Sequence, residues 1–281
     1  MNDAHKVTVP EIISLKNKRK ITMFTAYDYP FARLVDKAGI DIILVGDSLA
    51  NVVLGLESTT QVGMQEMLHH AKAVTRAVKH ALVVGDMPFD SYQVNAKDCV
   101  DNARKFLSEA GCDAVKLEWF DNCPEVTKKI VESGIPVMGH IGLTPQTADK
   151  IGGFKVQGKD AEAAGKLIRQ ARELQELGCF SIVLECVPDK ISRMITQNSK
   201  IPIIGIGAGV HCDGQVLVIH DVLGLFERFK PKFVKQYINL APMISAALVS
   251  FRDEVIGEKF PLPEHSFAIK EEELNKLKSD Q

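Results

Sequence analysis

Four apolar runs in this chain each stop on a carboxylate: Asp41-Ile-Ile-Leu-Val-Gly-Asp47, Ala81-Leu-Val-Val-Gly-Asp86, Ala114-Val-Lys-Leu-Glu118 and Ser181-Ile-Val-Leu-Glu185. A near-continuous apolar run is what a parallel strand needs when both of its faces are covered. Acids on the ends of successive parallel strands arrive at the same edge of the sheet, where they converge.

Helical patterns fill the intervals. Residues 29–38 end at Gly39, and Met64, Met67, Leu68, Ala71, Val74 and Val78 recur at helical spacing. Residues 95–110, 124–132, 160–177 and 188–197 read as helices with caps or a first-turn proline. Further strands are expected at residues 21–27, 135–141, 201–207 and 216–220. Eight strands alternating with helices predict a (β/α)8 TIM barrel. A short N-terminal helix follows Thr8-Val-Pro10, and a long C-terminal helix is expected over residues 233–255. An open doubly wound sheet is the alternative. Too few residues separate the last two strands for a helical crossover, which implies a single turn there or a misplaced strand.

The whole of residues 1–281 reads as one barrel domain, with a helical segment over 1–20 and a charged tail over 261–281. With 46% hydrophobic residues, a chain of this length can bury a large core. The 34 basic residues are balanced by 36 acidic ones, which argues against nucleic acid as a partner. No apolar run approaches the roughly 18 residues of a membrane span, and residues 1–20 hold no signal-peptide core. A cytoplasmic protein is expected. The six cysteines form no C-x-x-C pair, as befits reduced core thiols in that compartment. The basic run at residues 16–20 reads as a solvated surface turn.

Asp47, Asp86 and Glu118 end strands about one βα unit apart, and Glu185 ends a strand across the mouth. Alternation along the strands turns Lys116, Glu118 and Glu185 inward. Interior charges are costly unless partnered. An internal salt bridge is one explanation. A bound hard cation is the other, because oxygen ligands without His or Cys favour Mg²⁺. A 2-oxo acid suits such a cation, which would polarise its ketone. His140, at the end of strand five, is a supporting residue or a structural hydrogen-bonder. Gly205-Ile-Gly-Ala-Gly209 reads as a phosphate cradle or as close packing.

The runs Val45-Gly-Asp-Ser48, Gly85-Asp-Met-Pro-Phe89, Val115-Lys-Leu-Glu118, Gly139-His-Ile-Gly-Leu-Thr-Pro-Gln146, Leu184-Glu-Cys-Val-Pro188 and Ile204-Gly-Ile-Gly-Ala-Gly209, in this order, closely resemble the ketopantoate hydroxymethyltransferase family. The resemblance implies a one-carbon transfer from 5,10-methylenetetrahydrofolate to 3-methyl-2-oxobutanoate. The product is 2-dehydropantoate, on the route to pantothenate and coenzyme A; from the chemistry of the metal site, a Mg-bound enolate is the expected intermediate. It further implies Mg²⁺ at Asp47, Asp86 and Glu118, and substrate binding by Asp47, Ser48, Asp86 and Lys116. It makes Glu185 the proton acceptor, and the protein a homo-oligomer, commonly a decamer. After Glu118 the family usually continues with glycines. This chain has Trp119-Phe120, and a bulkier rim beside the metal or the folate entrance is expected. A carbon–carbon lyase or phosphonomutase on a similar barrel, and a non-catalytic barrel, are the rival readings.

Overall fold

Eight parallel strands close into a barrel in chain order. They are β1 (Ile21–Thr25), β2 (Ile42–Val45), β3 (Leu82–Asp86), β4 (Ala114–Glu118), β5 (Val137–Gly142), β6 (Ser181–Glu185), β7 (Ile203–Ile206) and β8 (Gly214–Leu217). This is a computed structural model, and it describes residues 5–93, 98–151 and 155–279. The described residues fall into two compact units. One comprises residues 1–222 and 226–235 and holds the barrel; the other comprises residues 223–225 and 236–281.

The alternation is that of a packed barrel. Ile21, Met23, Ile42, Leu44, Leu82, Val84, Ala114, Met138, Val183, Ile204 and Val216 form the interior core. The outward residues of β2–β6 meet the helices. Asp160 caps the helix Ala161–Glu176 through a 2.8 Å bond from the Ala163 N–H, as its position predicts. The expected helix over 95–110 is described only as Cys99–Ser108, and residues 95–97 lie outside the described residues. So do Gly152 and Gly153 of the second long loop.

Two element boundaries are corrected. The last strand begins at Gly214, not Val216, and His220 lies in the short helix Ile219–Leu223. Gly214 pairs with both Ile21 and Ile204, so the sheet closes there. A Cβ on it would come within 2.5 Å of the Ile21 carbonyl oxygen, which is why the strand starts on glycine. No helix separates β7 from β8. The C-terminal helix is Ala241–Ile256, and residues 233–240 are not helical. Pro242 sets that start, since proline fits the first turn of a helix but not its interior.

The basic run at residues 16–20 is not simply solvated. Lys16 Nζ lies 2.6 Å from Asp213 Oδ2, with both side chains buried. Arg19 grips the buried Asp41 through two bonds of 2.6 and 2.8 Å. Asp41 in turn accepts from the Thr22 N–H, and Asp213 from the Ile203 N–H. The run therefore fastens the N-terminal ends of the strands.

Candidate active site at the barrel mouth

At the opposite rim, three strand ends deliver their acids in different ways. Asp86 and Glu118 are the last residues of β3 and β4 and point inward by simple alternation. Asp47 stands two residues beyond the end of β2. The chain turns at Gly46 into the short helix Leu49–Val52, through bonds from Leu49 N–H to Gly46 O and from Ala50 N–H to Asp47 O. That turn, rather than strand parity, brings Asp47 to the mouth.

The three acids, Lys116, His140 and Glu185 line one cavity of about 660 Å³. Lys116 Nζ donates to Asp86 Oδ1 at 2.7 Å and to Oδ2 at 2.9 Å. The Asp47 backbone N–H donates to Asp86 Oδ2 at 3.2 Å. His140 stands between Glu118 (Nδ1 to Oε1, 3.4 Å) and Glu185 (Nε2 to Oε2, 3.3 Å). These contacts are close enough for charge pairing but too long for good hydrogen bonds. Ser48 Oγ shares a 2.8 Å hydrogen bond with Tyr27 Oη and also lines the cavity. Asp47, Ser48, Asp86, Lys116, Glu118, His140 and Glu185, the side chains named from the sequence, are thus all at this mouth.

Two residues that sequence reasoning did not single out hold the cluster together. The Gln146 side-chain amide donates to Asp47 Oδ2 at 2.9 Å and to Met87 O at 3.0 Å, and its backbone N–H donates to Glu118 Oε2 at 2.9 Å. Tyr92, fully buried, donates to Gln146 Oε1 and accepts from the Glu118 backbone N–H at 3.2 Å. Gln146 belongs to a recognisable run, but nothing in a neutral side chain outside the strands marks it as a clamp.

Burial governs the charges. It pushes the Asp86 carboxyl up to about 6, although Lys116 pulls in the other direction. Asp47 is raised by burial and by the Glu118 charge. Burial works against the Lys116 ammonium, but Asp86, Glu118 and Asp47 outweigh it and hold Lys116 above its ordinary value. Burial and Lys116 both lower His140, yet Glu118 and Glu185 outweigh them and push it up to about 9.

This donor set fits a hard cation. Glu118 Oε1 is buried with no hydrogen-bond partner, and Asp47 and Asp86 carry raised acid values that a positive charge would relieve. Among the described residues no three His, Cys, Asp or Glu side chains form a ready-made cage. Mg²⁺ does not need one, since it keeps several waters and takes only one or two carboxylates.

Trp119 and Phe120 do not reach the large cavity. They line a separate one of about 150 Å³ beside Thr144, Thr147 and Gln170, and Phe120 packs edge-on against Tyr92 with ring centroids 5.4 Å apart. The glycines after β7 serve close packing. Gly207 has φ of 63°, and a Cβ there would meet Phe233 at 2.8 Å.

Residues 6–263 match the family model described as ketopantoate hydroxymethyltransferase. A 3-methyl-2-oxobutanoate hydroxymethyltransferase from Syntrophobacter fumaroxidans is 57% identical over 97% of each chain. The fold is similar to that of phosphoenolpyruvate phosphomutase from Streptomyces platensis subsp. rosaceus. That structure has a TM-score of 0.60 at 15% identity, with 97% of this chain and 96% of that one covered. It is also similar to a phosphonopyruvate hydrolase solved with oxalate and Mg²⁺, with a TM-score of 0.57 at 13% identity and 98% and 95% coverage.

Proposed function

We propose, from the premise that this chain belongs to the ketopantoate hydroxymethyltransferase family, that its barrel mouth joins a one-carbon unit from 5,10-methylenetetrahydrofolate to 3-methyl-2-oxobutanoate. The protein is an enzyme of the hydroxymethyl-transferring kind. The observation that carries the finer reading is the chain of contacts from Lys116 and Asp86 through Asp47, Gln146 and Glu118 to His140 and Glu185, whose charged members all line one cavity.

Asp47, Asp86 and Glu118 would hold Mg²⁺, directly or through water, and a cation held there would supply Lewis-acid polarisation of the ketone and so a more acidic neighbouring C–H. The phosphonopyruvate hydrolase holding oxalate and Mg²⁺ on the same fold supports this choice. Lys116 and Ser48 bind the oxygens of the oxo acid. Lys116 is charged and fixed on Asp86, so it meets developing negative charge without reorganising. Glu185 takes the proton from the branched carbon beside the ketone. His140 Nε2 stands 3.3 Å from Glu185 Oε2 and orients the carboxylate. That carbon becomes bonded to the transferred methylene carbon and the oxygen of water becomes its hydroxyl, as the two C–N bonds that held the methylene to folate break; tetrahydrofolate leaves with two N–H protons, one from the oxo acid's C–H by way of Glu185 and one from the water.

Glu185→Gln is the test. It should still bind 3-methyl-2-oxobutanoate but lose exchange of its C–H for deuterium, whereas full exchange would remove Glu185 from this role.

The reading extends to a cytoplasmic homo-oligomer, a decamer by the resemblance. No described helix is long and apolar enough to cross a membrane. Met243, Leu248, Phe251 and Ile256 of the helix Ala241–Ile256 are exposed in the single chain, as a surface covered by self-association would be. Sedimentation of the purified protein measures the assembly.

A further inference from the structure

A five-carbon oxo acid leaves most of a 660 Å³ cavity unfilled, since cavities of that size take drug-sized ligands. The lining divides by strand order. β2, β3 and β4 supply Asp47, Asp86, Lys116 and Glu118, and β6 supplies Glu185. Across the barrel from β4, the chain after β8 supplies a different chemistry: Asp221, then Phe226, Phe229, Lys232 and Phe233. Asp221 lies in the short helix Ile219–Leu223, and among the described residues no side chain donates to its carboxylate. Burial alone raises its acid value, with no cation or donor pulling the other way. A carboxylate facing a cavity in that condition wants a ligand that donates.

The class of ligand follows from the neighbours. A flat ring with two parallel N–H donors on one edge would pair with both oxygens of one carboxylate, and aromatic side chains beside it would pack on the ring. A reduced pterin has such an edge in its 2-amino group and ring N3–H. Its long tail ends in carboxylates, which Lys232 and Lys155 on the cavity wall would meet. We propose that Asp221 reads the aminopyrimidine edge of the folate co-substrate, with Phe226, Phe229 and Phe233 packing on the ring and its linker. This rests on the folate dependence proposed above, and it adds the subsite. It places the one-carbon donor on the β8 arc and the oxo acid on the β2–β4 arc, with Glu185 on the wall between them.

The test uses tetrahydrofolate, which lacks the transferable carbon, and its 2-desamino analogue, both titrated into the full-length protein. Wild type should bind tetrahydrofolate on the order of tenfold or more tightly than the analogue, the usual scale for a lost charged hydrogen bond. Asp221→Asn should weaken tetrahydrofolate to about the analogue's level and lose the discrimination, with the KM for 3-methyl-2-oxobutanoate unmoved. Phe229→Ala, at an exposed position, should weaken both pterins alike and gives a second reading if Asp221→Asn does not fold. Equal wild-type affinity for the two pterins overturns the assignment of Asp221, as does discrimination that persists in Asp221→Asn, and in either case the folate reading stands. A wild type whose turnover is indifferent to methylenetetrahydrofolate sinks the folate reading itself.

Discussion

The side-chain amide of Gln146 and its own backbone N–H hold two different carboxylates, Asp47 Oδ2 and Glu118 Oε2, each at 2.9 Å. One residue of the short 3-10 helix Pro145–Ile151 after β5 thereby fixes acids delivered from β2 and β4. It occupies one oxygen on each and takes no part in binding the others. Groups that orient ligands in this way typically change metal affinity by about 10–100-fold when lost. Gln146→Leu is therefore expected to raise the Mg²⁺ concentration for half-maximal rate by at least about tenfold. The rate at saturating Mg²⁺ should fall less. Mn²⁺ binding followed by electron paramagnetic resonance reads the same change without turnover. An unmoved metal requirement with a reduced rate would show that Gln146 does something else.

Tyr92 is the second half of that clamp. Its hydroxyl donates to Gln146 and accepts from the Glu118 N–H, and its ring is packed by Phe120. Tyr92→Phe keeps the packing but leaves a buried N–H and a buried amide oxygen without partners. Each such group costs about 1–3 kcal/mol. The midpoint of urea unfolding should fall accordingly, with the slope unchanged. A variant as stable as wild type would mean that water replaces the hydroxyl.

How far this was legible beforehand depends on the kind of signal. Asp86, Glu118 and Glu185 were visible because a strand has a two-residue period and a sharp end, so the residue type and the direction come from one pattern. Asp47 was visible as a residue, but not the turn at Gly46 that aims it. Gln146, Tyr92 and Asp221 had no comparable mark. Hydrogen bonds between chain-distant neutral groups leave no periodicity, and Asp221 was hidden by a last strand drawn through His220. The same limit explains residues 16–20. A basic run looks solvated until Asp41 and Asp213, which follow far along the chain, are seen beneath it. Pro242 did carry a readable signal for where the last helix starts.

Asp221 also makes a prediction for stability. Burial raises its carboxyl from an ordinary 3.8 to about 6. A raised carboxyl value means that the folded chain holds the proton more tightly than the unfolded chain does. Its favourable contribution is complete below the ordinary value and is lost as pH rises through about 6. At neutral pH the buried charge is therefore a cost. Asp221→Asn should raise the melting temperature near neutrality, by an amount equivalent to about 1–2 kcal/mol after allowing for partial exposure. The difference should vanish as pH approaches about 4. A gain that persisted in acid would point to packing rather than charge.

The last prediction separates the two ends of the barrel. Lys16 and Asp213 form a buried pair at the N-terminal ends of the strands, where conserving the fold rather than performing chemistry is the usual role in such barrels. Asp213 also accepts from the Ile203 N–H, and Lys16 donates to Thr196 O, so the pair is fully engaged. Lys16→Met removes the cation and leaves Asp213 buried with its charge. Breaking a pair in this way costs about 3–5 kcal/mol, mostly through the charge left behind. Changing Lys16 and Asp213 together to apolar residues should return much of that loss, because no stranded charge remains, although the Ile203 N–H then goes unpaired. Chemical denaturation of the two single variants and the double variant measures the coupling. The KM for the oxo acid should stay at the wild-type value wherever the protein is folded, since neither residue lines the cavity at the other rim. A large change in KM from Lys16→Met would mean that the two ends are coupled through the strands, and that the bottom of the barrel sets the geometry of the acids at its top.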